Sequence, residues 1–171
     1  MDERAPSKAE LLDALRASRD EVLTTVRALP PERLEAGRYE NGWNGRQILA
    51  HLASIEWTYP RLIDIAREAP ETAARESGSR ADAEPPTRTM RGGNDSYNDR
   101  QVAKRAHLSG AELLGEFERN RAVTIRAVEE ADDRLLARHI RSAGGVTGPL
   151  ARVFYQVAVL HVLGHARDIA G

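Results

Sequence analysis

The chain has 171 residues, no cysteine and a formal charge of −1. These values exclude a disulfide framework, a thiolate metal site and a cysteine nucleophile, and they offer no strong field to nucleic acid or anionic lipid. A chain this long is expected to form one domain, residues 1–171, whose core needs no covalent or metal staple.

Residues 7–29 read as the first helix. Ser7 and Glu10 have capping-box spacing, Leu11, Leu12, Leu15, Val22 and Val26 form an apolar stripe, and Pro30-Pro31 stops it. The second helix covers 44–68, with Asn44 as N-cap and a stripe of Ile48, Leu52, Ile55, Tyr59, Leu62, Ile63 and Ala66. Pro60 lies inside that pattern and predicts a kink or break. Residues 69–93, rich in Glu, Arg, Ser, Gly and Pro, form a long polar connection, either a surface loop or a lid. A shorter helix follows, from Asn94 or Asp95 to Ala106.

Ser109 and Glu112 make a second capping box and open the third long helix, which runs to Glu130 with Leu113, Leu114, Phe117, Ile125 and Val128 inward. Residues 131–148 are a connection with one helical turn at DDRLLARHI, punctuated by Gly144, Gly145 and Gly148. The fourth helix starts at Pro149. Its RVFYQVAVL stretch is rich in β-branched residues, but the apolar pattern lasts ~20 residues, beyond the usual strand. The expected fold is all-α: a four-helix bundle with a long crossover between the second and third helices. The opening MDERAPSKAE is charged and lacks a signal peptide's apolar stretch, and no apolar run reaches the ~20 residues that span a bilayer. A cytoplasmic protein without a membrane partner is expected.

Of five histidines, His107 and His139 fall in or beside connections and read as solvent-facing. His51, three after Ile48 and four before Ile55, points inward. His161, seven after Phe154 and four after Val157, is read as sharing their buried face, with His165 four further on. An i, i+4 pair sets two imidazoles ~5–6 Å apart at Cβ. Both can then reach one ion at ~2.0–2.1 Å. A third ligand has to come from another helix. His51 lies ~10 Å into the second helix, while His161 and His165 lie ~13 and ~7 Å from the end of the fourth. If those helices are antiparallel, the three share a layer; if parallel, they miss by ~10 Å. An up-down-down-up bundle, which the long crossover permits, meets the condition. Three buried imidazoles in an apolar layer would otherwise need three polar partners. His51, His161 and His165 are the candidate metal ligands.

Asp168, three after His165, is either an exposed acid near the helix end or an acceptor that orients a ligand histidine. Glu56, five after His51, points away from it. Trp43 reads as packing at the entry to the second helix, with a wall of the site as the alternative; Trp57 and Tyr59 read as packing residues rather than substrate contacts, and Asn94 and Asn98 as cap or turn residues.

GWNGRQILAHLASIEW (42–57), HVLGHARDI (161–169) and the middle stretch beginning NDSYNDRQVAKRAHLSGAELL (94–114) carry a resemblance over nearly the whole chain. The sequence resembles the DinB/YfiT-like bundle superfamily, in the branch with the metal-binding domain of mycothiol-dependent maleylpyruvate isomerases. The resemblance implies a divalent metal, zinc first and nickel or iron as alternatives, held by His51, His161 and His165. It also implies a group whose characterised enzymes use low-molecular-weight thiols such as mycothiol or bacillithiol. A chain without the additional C-terminal domain of the isomerases is expected.

Three neutral imidazoles with an open fourth position suit a catalytic zinc site, and nickel or ferrous iron accepts the same donors. Such an ion acidifies a bound water or thiol. One expectation is therefore a metal-dependent enzyme acting with a thiol cosubstrate on a small electrophile, as an S-transferase or isomerase, or with water as a hydrolase. The other is a non-catalytic metal- or ligand-binding bundle. Either leaves a homodimer open, and charge and motif favour no nucleic-acid partner.

Overall fold

The structure is a computed structural model and describes residues 4–36, 42–69 and 93–171. Helix α1 is Lys8–Ala28, opened by the full Ser7–Glu10 capping box. A one-turn helix, α2 (Pro31–Glu35), follows the proline pair, which ends one helix and seeds another because proline suits a first turn. Helix α3 (Gly45–Glu56) starts at a capping box in which Gln47 answers Asn44. It stops at Trp57, and α4 (Pro60–Glu68) continues after a short turn. The break at Pro60 is the one expected. Helix α5 is Gly93–Lys104, and α6 is Gly110–Glu130 behind the Ser109–Glu112 box. The long polar connection, read as a surface loop or a lid, lies outside the described residues apart from Ala69 and Gly93.

The next connection holds more order than expected. Helix α7 (Asp133–Leu136) is the anticipated turn, but β1 (His139–Arg141) and β2 (Thr147–Pro149) then pair antiparallel, with Ile140 opposite Gly148. Gly145 adopts φ +87 in the tight loop, a conformation that favours glycine. The hairpin buries Ile140 completely and leads into the fourth rod. That rod is α8 (Leu150–Phe154), a π-helical segment (Tyr155–Leu160) and α9 (His161–Ala170).

The rods are α1, α3–α4, α6 and α8–α9, and side-chain contacts fix their directions. Lys8 donates to the carbonyls of Glu129 and Ala131, and Arg27 faces Glu118, so α1 and α6 are antiparallel. Asn120 reaches the Ala53 carbonyl and Thr124 that of Glu56, so the second and third rods are parallel. Tyr59 reaches Val157 while His51 meets His161 and His165, so the second and fourth are antiparallel. The result is up-down-down-up, in a protein whose described residues are overwhelmingly helical. None of its described helices is long and apolar enough to cross a membrane.

The core has two halves. Leu11 and Leu15 pack with Ile63, Val128, Ile140 and Phe154 at one end; Val22 and Val26 pack with Ile48, Phe117 and Val162 at the other. Near the middle of the bundle lies a buried polar layer that the sequence reading missed. Arg121, wholly buried, donates to Glu56 at 2.8 Å, to Ser18 Oγ at 2.8 Å, and to the carbonyls of Leu15 at 3.1 Å and Ala158 at 2.8 Å. One guanidinium thus ties all four rods together.

Candidate metal centre

The antiparallel second and fourth rods bring His51, His161 and His165 together. Each offers one ring nitrogen, and these nitrogens all lie within 4.8 Å of one another. Ring centroids are 5.5 Å apart for His51–His161, 5.1 Å for His51–His165 and 4.5 Å for His161–His165, all edge to face. His51 is buried, held in the middle of α3, with Ser54 bonded to its own backbone carbonyl. His161 and His165 are not in the core as the spacing suggested: His161 is exposed and His165 half-buried. The π-helical segment explains the difference. Its wide turn spends an extra residue, which rotates everything after Leu160 relative to Phe154 and swings the pair to the groove's mouth.

The same segment supplies acceptors. The Val157 carbonyl receives the Tyr59 hydroxyl and also engages the His161 imidazole, while the Ala158 carbonyl serves Arg121. His165 Nδ1 lies 3.2 Å from Asp168 Oδ2, so Asp168 is both exposed and bonded to a site histidine. That contact leaves His165 Nε2 facing His161 Nε2 at 3.1 Å. Two such nitrogens share at most one proton. His51 Nδ1 is buried with no hydrogen-bond partner. A donor set of crowded imidazoles, one with an orphaned buried nitrogen, fits a cation.

Burial, with the charges of His165 and His161, pushes His51 down to about 3. His161 is exposed as a residue, but its ring is crowded among its neighbours; that loss of hydration and the charge of His165 push it down to about 4, against the Val157 carbonyl. Burial also lowers His165, opposed by Asp168. All three rings are therefore neutral near pH 7, with lone pairs free. Both folded values lie below the ~6.5 of an unfolded histidine, so this stability is complete above ~6.5 and drains away as pH falls toward the folded values. Denaturant unfolding of metal-free protein should show its midpoint dropping between about pH 6.5 and 4, and a His51→Leu variant should flatten that slope.

A cavity of about 470 Å³ adjoins His51 and His161. Ile55, Leu62, Ile65, Val146 and Val157 give it apolar walls, and Arg61 and Asp95 add charge. Asn98 lines it too, rather than capping a helix, as do hairpin residues Ser142 to Gly144. Asn94 is placed in the first turn of α5. Trp43 stands where its alternative reading put it, beside the site: its ring lies 5.3 Å from that of His51. Tyr59 is a packing residue as read, but Trp57 is 53% exposed and is not. Glu56 turns away from His51, and His107 and His139 are exposed, as expected.

Residues 15–170 match the family of the mycothiol maleylpyruvate isomerase N-terminal domain. The chain belongs to that family. With it comes the DinB-like four-helix-bundle superfamily. Crystal structures of the mycothiol-dependent maleylpyruvate isomerase and of a histidine-to-alanine mutant of it align at TM-score 0.67, with 15% and 14% identity, over 97% of this chain and 62% of theirs. The chain thus spans less than two thirds of those structures. YfiT from Bacillus subtilis, described as "a probable metal-dependent hydrolase with an unusual four-helix bundle topology", aligns at TM-score 0.67 and 14% identity, over 99% of this chain and 88% of its own. At such identities the likeness to the solved structures is one of fold. No curated protein matches the sequence.

Proposed function

We propose that this family member is a divalent-metal-dependent enzyme for a small-molecule substrate, with His51, His161 and His165 holding the ion and the adjoining cavity holding the substrate. The observation that carries the reading is the convergence of three imidazoles beside a cavity of catalytic-site size. Zinc is the metal that suits three histidines with room for a fourth ligand; nickel and ferrous iron are the alternatives. When bound, the ion supplies Lewis-acid chemistry and acidifies a thiol or water.

The chain's own residues do the rest. Asp168 holds the Nδ1 proton of His165 and so keeps Nε2 free as a donor. Tyr59, whose pKa burial raises, keeps its proton and fixes the Val157 carbonyl that engages His161. The apolar walls limit water. A cosubstrate thiol, mycothiol or bacillithiol, and a small electrophile make the finer reading an S-transfer or isomerisation, supported by the family to which the chain belongs. The fold shared with YfiT supports hydrolysis as the second reading.

Elemental analysis of purified protein, followed by incubation with mycothiol, bacillithiol and model electrophiles, tests this. About one ion per chain and thiol loss that stops on chelation are expected. Turnover of esters or amides without thiol would move the assignment to the hydrolase, and metal-free protein that cannot be reloaded would end both. Asp168→Ala should weaken metal affinity about 10–100-fold in competition with a chromophoric chelator, with unfolding unchanged because the residue is exposed.

A further inference from the structure

We propose that Arg61, laid against Trp57, anchors a carboxylate of the substrate at the end of the cavity remote from the histidines. The inference rests on reading the cavity as the substrate site of a metal enzyme.

Trp57 sits at the elbow between α3 and α4, with half its surface in solvent. Its ring carries the Arg61 guanidinium, whose Cζ lies 4.2 Å from the centroid. A guanidinium over an aromatic face keeps N–H groups available to another partner, and such a group recognises a planar carboxylate through two parallel bonds. Among the described residues that guanidinium has no hydrogen bond or ion pair, and it lines the cavity. Most surface arginines are solvated and carry no such meaning. This one is fixed by an aromatic platform and placed on the wall of an apolar cleft.

The cavity's lining sets the ligand's shape. Arg61 lies ten positions beyond His51, on α4 past the turn at Trp57–Tyr59, and both line the one cavity. Ile55, Leu62, Val146 and Val157 line the same cavity and make its walls apolar. A ligand that reaches the histidines with its reacting end therefore has an apolar middle and an anionic tail. Asp95 enters from α5 and makes no ion pair with Arg61. Its charge opposes a second anionic group, so the ligand class is a monocarboxylic acid.

The test is calorimetric titration of 3-phenylpropionate and its uncharged amide into the zinc-loaded full chain. The acid should bind about tenfold tighter than the amide, Arg61→Gln should erase that difference, and Asp95→Asn should preserve or widen it. No preference for the acid in the unaltered protein, or a preference that survives Arg61→Gln, overturns the proposal. If the preference survives Arg61→Gln but disappears in His51→Ala, the carboxylate sits on the metal: the anchor falls and the metal centre stands. If the protein takes up no zinc yet prefers the acid through Arg61, the anchor stands and the metal reading falls.

Discussion

Replacing His51 with alanine will leave a folded bundle that no longer retains metal. The ring contributes little to the core's stability: its Nδ1 is buried without a partner, and the rings packed beside it are two other imidazoles and Trp43 at the edge of the core. Removing a buried polar group that lacks a partner relieves a desolvation penalty, which offsets lost packing. On the proposed centre, the metal would lose the one donor that the described residues of the second rod offer it. Deleting a group that merely orients a ligand costs about 10–100-fold in affinity; deleting a ligand should cost more than that upper figure. Elemental analysis beside chelator competition reads the loss, and far-ultraviolet circular dichroism checks that helicity persists. His107→Ala, at an exposed position, is the control and should bind metal as before. Equal metal content in His51→Ala and the unaltered protein would remove His51 from the centre and leave only an adjacent pair on one helix, too few donors for a firm site.

The features legible in the sequence were those with local causes. The capping boxes at Ser7, Asn44 and Ser109 place helix starts because a polar side chain there meets otherwise unpaired N–H groups. Pro60 marks the elbow because its ring breaks the ladder. The antiparallel second and fourth rods followed from one long-range premise, that His51 should meet the later pair. What stayed hidden depends on tertiary context. Each hairpin strand is three residues long, too short to show alternation. A π-helical segment has no residue signature, since what favours it are partners for its carbonyls: Tyr59 and Arg121 come from other rods. For that reason the seven-residue spacing points His161 to the face of Phe154, and the structure places it on another. Arg61 and Asp95 face one cavity only after α5 packs beside α3. The buried ionic layer did leave a trace. Arg121 stands midway between Phe117 and Ile125 on an apolar stripe, Glu56 follows Leu52 by four, and Ser18 lies between Leu15 and Val22. Three polar residues on three buried stripes are a pairing signal when read together.

That layer makes the second large effect. Arg121→Met should destabilise the protein by about 3–5 kcal/mol in denaturant unfolding, because Glu56 is left buried without its cation. The carbonyls of Leu15 and Ala158 lose a donor at the same time. Burial already pushes the Glu56 pKa up against the pull of Arg121. Without the guanidinium the folded value rises further above the unfolded one. A carboxyl with a raised folded pKa contributes stability below the unfolded value of ~4.3 and loses it as pH rises, so the deficit of Arg121→Met should grow from acid toward neutral pH. Glu56→Leu combined with Arg121→Met should recover most of the loss, since a well-packed apolar pair of similar volume replaces a buried ion pair at little cost or with gain. Glu56 Oε1 and Arg121 Nε have no partner even in the intact layer, which favours that recovery. A double-mutant cycle measures the coupling. Additive losses would mean that the two residues act independently. Strong coupling with restored stability, but with the metal site or bundle order disturbed, would show that the ion pair sets how four rods of up-down-down-up direction align, more than how tightly they hold.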